Sequence, residues 1–237
     1  MEPQERWRAR YAGMRPGWVP STTIYRRLVD ERLHEGGRIL DVGCGHTELL
    51  RDALARTGRS YGVDLDGVAL RKNITIRHTA VATAEALPFI DGAFDLVVMA
   101  WVVEHLDRPV IVFREIDRVL APGGRVLFLT PNAWNYNAWL IRLIPNAFHA
   151  FFTRKLYGRD RSDTYPTRYR MNSLGRIEHT LSQLGFGRER VVMNGDPTYV
   201  AFNAASFTIA SRLERLYDLR PMRLARVHII AAYRKPY

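Results

Sequence analysis

The feature that most constrains the fold is an alternation between Gly37 and Asn132, where short apolar runs alternate with stretches of helical periodicity. The run Phe94–Ala100 is almost wholly apolar, as expected of a central strand that is covered on both faces. Such alternation is typical of repeated βα units, and it predicts an α/β fold with a doubly wound, mostly parallel sheet and flanking helices. Strands are predicted at 38–42, 61–63, 74–81, 94–100, 125–130, 190–193 and 226–233.

Helix signals lie around and between the predicted strands. After the fourth strand, Asp107 suits an N-cap and Pro109 suits the first turn of the helix that follows. Gly123 and Gly124 suit the end of that helix. The other principal helices are predicted after the glycine turn of the first strand and at 21–33, 173–184 and 205–219, and residues 1–20 are predicted to be irregular.

The chain length favours one folded domain. At 237 residues and 47% hydrophobic content, the chain suits a single core with insertions better than two independent units. We predict an N-terminal helical lid (1–36), a cofactor-binding core (37–132), an inserted lid after the fifth strand that covers the substrate (133–171), and C-terminal helices with the final strands (172–237).

Cysteine usage and hydropathy bear on the compartment. A single cysteine excludes an internal disulfide framework, and no Cys and His spacing suggests a metal site. The N-terminal segment is charged throughout, and no uncharged stretch reaches the length that a bilayer-spanning helix needs. The sequence therefore predicts a cytoplasmic protein that binds no metal.

The positive charge is concentrated in the second part of the chain. Lys and Arg exceed Asp and Glu by ten over residues 133–237, but only by one over residues 1–132. A basic region of this kind is consistent with an anionic substrate, nucleic acid or an acidic membrane surface. An Arg-rich composition without any such partner gives the same count, so the charge alone leaves these alternatives open.

The strongest local motif is the glycine turn Gly43-x-Gly45 between the first strand and the helix after it. Glycines there allow a ligand to approach the backbone, and the start of a helix offers unpaired N–H groups. Asp41 precedes the turn, and Asp64 follows the second strand, 19 residues after Gly45. This spacing suits a carboxylate that accepts hydrogen bonds from both ribose hydroxyls, so the motif predicts a nucleoside cofactor.

Two acidic residues favour S-adenosylmethionine over a dinucleotide as the cofactor. Where a dinucleotide fingerprint has its third glycine, the chain has Glu48, whose charge would repel a pyrophosphate. Asp41 suits a cationic amino group such as that of a methionine moiety. The alternative is that Asp41 only orders the glycine turn, as Asp residues commonly do.

Four segments together resemble the class I S-adenosylmethionine-dependent methyltransferases. They are RILDVGCG, YGVDLD, ATAEALPFIDGAFDLVVMAWVVEHL and REIDRVLAPGGRVLFLTPN, in the order and spacing of that family, over about 95 of the 237 residues. The resemblance implies a seven-stranded sheet and S-adenosylmethionine as cofactor. The cofactor-binding residues that it implies are Asp41, Gly43, Cys44 and Gly45 along the methionine part, Asp64 at the ribose, Leu65, Thr83 and Ala84 at the adenine, and Trp101 near the methionine end.

The chain departs from the family pattern at two positions. Thr47 stands where the family usually has a third glycine, and Thr83 stands where an adenine-binding Asp is frequent. The Thr83 hydroxyl or the Ala84 amide could serve instead. These departures affect the contacts of single atoms and leave the class unchanged.

His105, just past the fourth strand, is the candidate catalytic base. Methyl transfer requires in-line positioning of the nucleophile, and a base assists when that nucleophile is a hydroxyl. Imidazole changes protonation near neutral pH, which suits this role. The alternative is that His105 orders the loop before the next helix, and Glu104 could equally be a packing residue.

The predicted insertion supplies the candidate substrate contacts. Its polar and aromatic residues lie among Lys and Arg, a composition that suits a sugar, a phosphorylated glycan or a planar aromatic acceptor. The alternative is that these aromatic side chains form a small core of their own. The candidate substrate residues are Asn132, Tyr136, Arg168 and Tyr169, with Trp134, Asn137, His149 and Tyr165 nearby.

The sequence thus predicts methyl transfer from S-adenosylmethionine to a hydroxyl of a small-molecule or glycan-type acceptor by a monomer or homodimer. One alternative is an RNA methyltransferase, suggested by the basic C-terminal part. Small-RNA terminal 2′-O-methyltransferases resemble this chain at Glu-His-Leu, but Trp101 stands where they have a metal-binding Glu, so nucleic acid is less favoured. Another alternative is an inactive, cofactor-binding regulatory homologue. The basic C-terminal part also suits peripheral contact with a membrane.

Overall fold

A computed structural model describes residues 3–46, 48–135 and 165–237. The sheet comprises β1 (Ile39–Val42), β2 (Ser60–Asp64), β3 (His78–Val81), β4 (Phe94–Ala100), β5 (Leu120–Pro131), β6 (Gly187–Asn194) and β7 (His228–Arg234). The helices are α1 (Pro3–Met14), α2 (Ser21–Asp30), α3 (Arg51–Thr57), α4 (Gly67–Arg71), α5 (Pro109–Val119), α6 (Leu174–Gln183) and α7 (Ala204–Leu216). Short 3-10 helices cover Val103–His105, Pro197–Val200 and Arg220–Ala225.

The seven strands form one sheet in the order β3-β2-β1-β4-β5-β7-β6. Strands β1 to β5 pair in parallel, and only β7 runs antiparallel to its neighbours β5 and β6. The predicted doubly wound, mostly parallel seven-stranded sheet is confirmed. The carboxyl ends of β1, β2, β4 and β5 consequently meet at one edge, where ligands bind in folds of this type.

The core lies on both faces of the sheet, because side chains alternate along each strand. On one face, Leu96 and Val98 of β4 pack with the apolar side of α2 and with α3. On the other face, Val97 and Met99 pack with α5 and α6. These helices present apolar stripes to the sheet, which explains why their positions could be predicted from periodicity.

Residues 1–20 were predicted to be irregular, and this is wrong because Pro3–Met14 is helical. Helix α1 is held by an aromatic contact and an ion pair. Trp7 stacks on Phe207 with 4.7 Å between the ring centroids, and the Arg8 guanidinium lies 3.2 Å from the Asp196 carboxylate. Such a helix has no regular apolar stripe, so its sequence lacked the signal that revealed the others.

The ends of two other elements also differ from prediction. Arg108 occupies the N-cap position of α5, while Asp107 forms an ion pair with Arg168 at 2.9 Å. The helix ends at Val119 without a glycine stop, and Gly123 and Gly124 lie within β5. The third strand begins only at His78, because the Asn73 side chain accepts hydrogen bonds from the amides of residues 75 and 76 in a turn.

No helix in the described part of the chain is long and apolar enough to cross a membrane.

Candidate functional site

Two acids meet at the carboxyl edge of β1 and β2. Asp41 is buried near the end of β1, and Asp64 is the last residue of the neighbouring parallel strand β2. Burial raises the pKa of Asp41 to about 7, and the nearby Asp64 charge adds to this effect. No basic side chain among residues 3–46, 48–135 and 165–237 forms an ion pair with Asp41 to counter the shift. The site is therefore suited to accept a positive charge from a ligand.

The glycine turn is built against β2 and β4. Gly43 and Gly45 adopt φ angles of 74° and 43°, in the region that favours glycine. A β-carbon at Gly43 would lie 2.3 Å from Cγ2 of Val102, so the turn packs directly on the segment after β4. At Gly45 a β-carbon would meet the Asp64 carboxylate oxygen only at 3.7 Å, which leaves room beside that carboxylate.

The backbone amides of this turn serve the protein itself. The amides of Gly43 and Cys44 donate to the Val63 carbonyl at 2.7 and 3.2 Å, and the Gly45 amide donates to Asp64 Oδ2 at 2.8 Å. The expectation that these amides contact a ligand is thus not met for residues 43–45. The turn instead fixes the Asp64 carboxylate in place and leaves space next to it.

Asp64 has a geometry that suits a ribose. Its Oδ1 accepts from the Asp66 amide at 2.9 Å, and Oδ2 accepts from Gly45, so one amide orients each oxygen. A carboxylate oxygen can accept more than one hydrogen bond, so both retain capacity for hydroxyl donors. The neighbouring Leu65 side chain is 60% exposed, as an apolar platform for a ring would be. Asp66 is engaged elsewhere, because it caps α4 through the amides of residues 68 and 69.

The other residues that the resemblance assigned to the adenine lie on the next segment. The Ala82 amide donates to the Asp64 carbonyl at 3.1 Å, which brings residues 82–84 beside β2. The exposed Thr83 hydroxyl accepts from the Glu85 amide at 3.3 Å, and Ala84 is half-buried against the core. Both residues therefore lie at the same edge as Asp64.

Cys44 has a packing role in this structure. Its side chain is buried, and a β-carbon added to Gly62 of β2 would lie 2.6 Å from the Cys44 sulfur. Burial raises the pKa of this thiol, which keeps it protonated. The predicted contribution of Cys44 to the cofactor site is thereby limited to its backbone carbonyl, since its amide donates to Val63.

Trp101 leaves β4 in a strained conformation. Its φ angle is 61°, and its amide donates to the Leu129 carbonyl of β5 at 2.9 Å. Its ring meets the His228 ring edge-on, with 5.0 Å between the centroids. A bulky residue in this region is uncommon, and such strain is concentrated at functional sites.

His228 belongs to a buried polar cluster that sequence reasoning missed. Its two ring nitrogens lie 2.9 Å from the hydroxyls of Ser21 and Tyr199. Burial lowers the pKa of His228 to about 4, although the Asp196 carboxylate opposes the shift, so the ring is neutral at physiological pH. Only the fold reveals this cluster, because its members are up to 207 residues apart in the chain.

His105 lies in the 3-10 helix after β4, beside residues near the end of the predicted insertion. Its Nδ1 lies 3.2 Å from the Pro166 carbonyl. Since a carbonyl only accepts, Nδ1 donates in this contact, and Nε2 of a neutral ring then carries the lone pair. The Glu104 carbonyl accepts from the amides of Arg168 and Tyr169 at 2.7 and 3.1 Å. The structure thus brings together His105, Arg168 and Tyr169.

The four predicted substrate residues have different positions. Arg168 is exposed and pairs with Asp107, and Tyr169 is exposed with a φ angle of 51°. Asn132 is buried: its side chain donates to the carbonyls of Leu224 and Arg226 and accepts from the amide of residue 134. The prediction for Asn132 is therefore corrected to a structural role. Tyr136, with Asn137 and His149, lies outside the described residues.

A second buried network lies behind Glu104. Asn172 donates to the Thr130 hydroxyl at 2.6 Å, and that hydroxyl donates to the Glu104 carboxylate at 2.9 Å. Sequence reasoning treated Glu104 as an alternative packing residue and missed Thr130 and Asn172. In the sequence, Thr130 is simply a polar residue at the end of an apolar strand. Many strand ends show this pattern, so it does not single out Thr130.

In the described ranges, no group of three or more His, Cys, Asp or Glu side chains is arranged to hold a metal ion.

Comparison with known proteins supports the sequence resemblance. Residues 40–128 match the family model described as "Methyltransferase domain". The ubiquinone biosynthesis O-methyltransferase of Pseudomonas fluorescens (strain SBW25) is 31% identical over 144 residues, which cover 52% of this chain and 60% of that protein. The chain thus spans about three-fifths of the length of the first curated relatives that it matches.

Solved structures share the fold at low sequence identity. An S-adenosylmethionine-dependent methyltransferase from Mesorhizobium loti is 18% identical, with a TM-score of 0.56 over 88% of this chain and 96% of that one. The geranyl diphosphate C-methyltransferase of Streptomyces coelicolor A3(2), solved with S-adenosyl-L-homocysteine, is 16% identical, with a TM-score of 0.59 over 90% and 80%. At these identities the likeness shows the fold alone.

Proposed function

We propose that this chain transfers a methyl group from S-adenosylmethionine to a hydroxyl of a small organic acceptor, because residues 40–128 match a methyltransferase-domain family model and the sheet has the seven strands that such domains were expected to have. The observation that carries the proposal is the buried Asp41 carboxylate, beside Asp64 and without a cationic partner in the described part of the chain. A buried acid of this kind is costly unless a ligand supplies the missing charge.

The residues at this edge fit S-adenosylmethionine. The amino group of its methionine part would provide the positive charge that Asp41 lacks. The Asp64 carboxylate, which two amides hold in place, would accept the ribose hydroxyls, and the exposed Leu65 would pack on the adenine. When bound, S-adenosylmethionine supplies a methyl group that its sulfonium activates, so the acceptor oxygen gains the methyl carbon while the sulfur keeps the bonding electron pair.

His105 is the candidate for taking the acceptor's proton. Its Nδ1–H contact with Pro166 holds the ring in one orientation and leaves Nε2 as the basic nitrogen of the neutral ring. Arg168 and Tyr169 lie next to it through their bonds to Glu104, so they are positioned to border the acceptor. This arrangement supports a hydroxyl acceptor.

Two considerations support a small acceptor. The relative from Pseudomonas fluorescens is named as an O-methyltransferase of ubiquinone biosynthesis, and the residues beside the candidate base include the exposed Tyr165, Arg168 and Tyr169. A glycan-type acceptor stays a narrower prediction, because its sugars would have to be recognised by the residues of the insertion.

The experiment measures cofactor binding and methyl transfer separately. We expect saturable binding of S-adenosylmethionine by calorimetry, and transfer of label from the methyl-labelled cofactor to a hydroxyl in a panel of diphenols, oligosaccharides and RNA. Labelled diphenol, identified by mass, is the expected result, and a labelled oligosaccharide would favour the glycan class. Labelled RNA or a labelled carbon atom would contradict the acceptor assignment. Absence of saturable binding at millimolar cofactor would contradict the methyltransferase function itself.

A further inference from the structure

Helix α7 has a second apolar face that points to solvent. Phe207, Ala210 and Glu214 are among the residues that face the interior. On the opposite side, Ile209, Leu213 and Leu216 are 61%, 38% and 49% exposed. Their spacing of four and three residues places them in one line along the helix. A helix that packs normally on a core has polar residues there, so this face is unexplained by folding.

The apolar face continues beyond the helix. Leu219, Met222 and Leu224 are exposed in the segment that follows, and the 3-10 helix Arg220–Ala225 has no buried residue. We name these six side chains the apolar strip: Ile209, Leu213, Leu216, Leu219, Met222 and Leu224. Isolated exposed apolar residues are common, but six of them between residues 209 and 224, three in line on one helix, favour an interaction surface.

Basic side chains flank the apolar strip. Arg212, Arg215 and Arg220 are exposed, and none of them forms an ion pair within the described part of the chain. Asp218 is the exposed acid in this segment, and it pairs with Arg15 and Arg226. The partner of the strip must therefore be apolar at its centre and negatively charged around it.

We propose that the apolar strip docks this protein on the surface of a membrane that contains anionic lipids. Acyl chains would receive the leucine and isoleucine side chains, while lipid phosphates would meet the arginines, as for helices that lie in the membrane plane. A second copy of the chain fits less well, because docking two strips would bring their unpaired arginines together.

The apolar strip lies next to the candidate site. The Leu224 and Arg226 carbonyls accept from the Asn132 side chain at 2.6 and 2.8 Å, which ties the end of the strip to the end of β5. The strip therefore adjoins the edge of the sheet that carries the candidate site. A docked protein would have its candidate site near acceptors that partition into the membrane. The docking goes beyond the proposed methyl transfer and does not depend on it.

The test is co-sedimentation of the full chain with vesicles, without cofactor. We expect binding to vesicles of phosphatidylglycerol and phosphatidylcholine in equal parts, little binding to phosphatidylcholine alone, and weaker binding as salt is raised. The triple variants Ile209→Ser/Leu213→Ser/Leu216→Ser and Arg212→Glu/Arg215→Glu/Arg220→Glu should each reduce binding at least about tenfold. The control Ile74→Ser/Ile90→Ser, which removes exposed apolar residues elsewhere, should bind within about twofold of wild type.

Three results would overturn the docking proposal. Wild-type protein could fail to bind either vesicle, or the serine variant could bind as well as the control. Light scattering could also reveal a dimer that the serine variant dissociates, in the absence of vesicle binding, which would assign the strip to a second copy. None of these readouts involves methyl transfer, so a failure here is distinguishable from a failure of the proposed function. Thermal unfolding of each variant confirms that it is folded.

Discussion

The two ends of the central strands differ in how their acidic side chains are paired. At the amino end, Asp95 accepts two side-chain hydrogen bonds from Arg38 and one from its amide, and these bonds hold the pKa of Asp95 below its usual value. At the carboxyl end of the adjacent strand, Asp41 has a pKa of about 7 because it is buried beside Asp64. Asp95 pairs with Arg38, whereas Asp41 forms no ion pair with any residue that the structure describes.

The amino end repeats the paired arrangement. Arg118 binds the Glu115 carboxylate and the carbonyls of residues 87 and 89, and the pKa of Glu115 is lowered mainly by that arginine. Arg125 of β5 likewise pairs with Glu189 of β6. Pairing of this kind stabilises the fold, whereas an unpaired buried acid costs stability. The difference therefore separates the residues that maintain the sheet from those kept for a ligand.

The largest effect should come from the histidine at the carboxyl end. His105→Ala should lower turnover by about 10²–10⁴-fold, because it removes the proposed base, while cofactor affinity stays near wild type. Turnover is measured with labelled cofactor and a responsive acceptor, across pH, and the acidic limb of the rate should disappear in the variant. His179→Ala, an exposed histidine on α6, is the control. A fall of less than about fivefold, or an unchanged limb, removes His105 from the mechanism.

The next effect concerns the ribose. Asp64→Ala should weaken S-adenosylmethionine binding roughly ten- to a hundredfold, because a charge-assisted hydrogen-bond acceptor is lost. Asp66→Ala is the matched control: it removes the cap of α4, so it should lower the melting temperature but leave the affinity within about twofold. Calorimetry and thermal melts of both variants make the comparison. If the two variants lose affinity equally, the ribose assignment is wrong.

A smaller effect is expected at the amino end. Asp95→Asn should lower the free energy of unfolding by about 0.5–1 kcal/mol, a modest value because the pair is partly exposed. Its affinity for the cofactor should not change. The lowered pKa of Asp95 implies that its contribution is present at neutral pH and is lost as the pH falls through the folded-state value. Denaturant unfolding of wild type and variant at neutral and acidic pH measures this contribution. A difference in unfolding free energy between the two proteins that is the same at both pH values would contradict the paired arrangement.

The same contrast explains what the sequence could predict. Asp41, Gly43, Gly45 and Asp64 stand next to strands whose apolar pattern is strong, so their meeting at one edge followed from the parallel sheet. His228 and its partners meet only because α2 and β7 pack together, and no local pattern records that. Asn132 was misread for a similar reason, since its buried hydrogen-bond partners are more than ninety residues away in the chain.

Asp41→Asn tests the central claim most directly, because it should move stability and cofactor affinity in opposite directions. The raised folded-state pKa of Asp41 means that its charge costs stability above about pH 7, and that this cost fades as the pH falls toward the unfolded value of 3.8. The variant should therefore gain on the order of 1–3 kcal/mol in the unliganded state at pH 8, with little gain near pH 4. Its affinity for S-adenosylmethionine should fall at least about tenfold. A variant that loses stability at pH 8, or binds the cofactor as wild type does, would contradict the assignment of Asp41 to a cationic ligand.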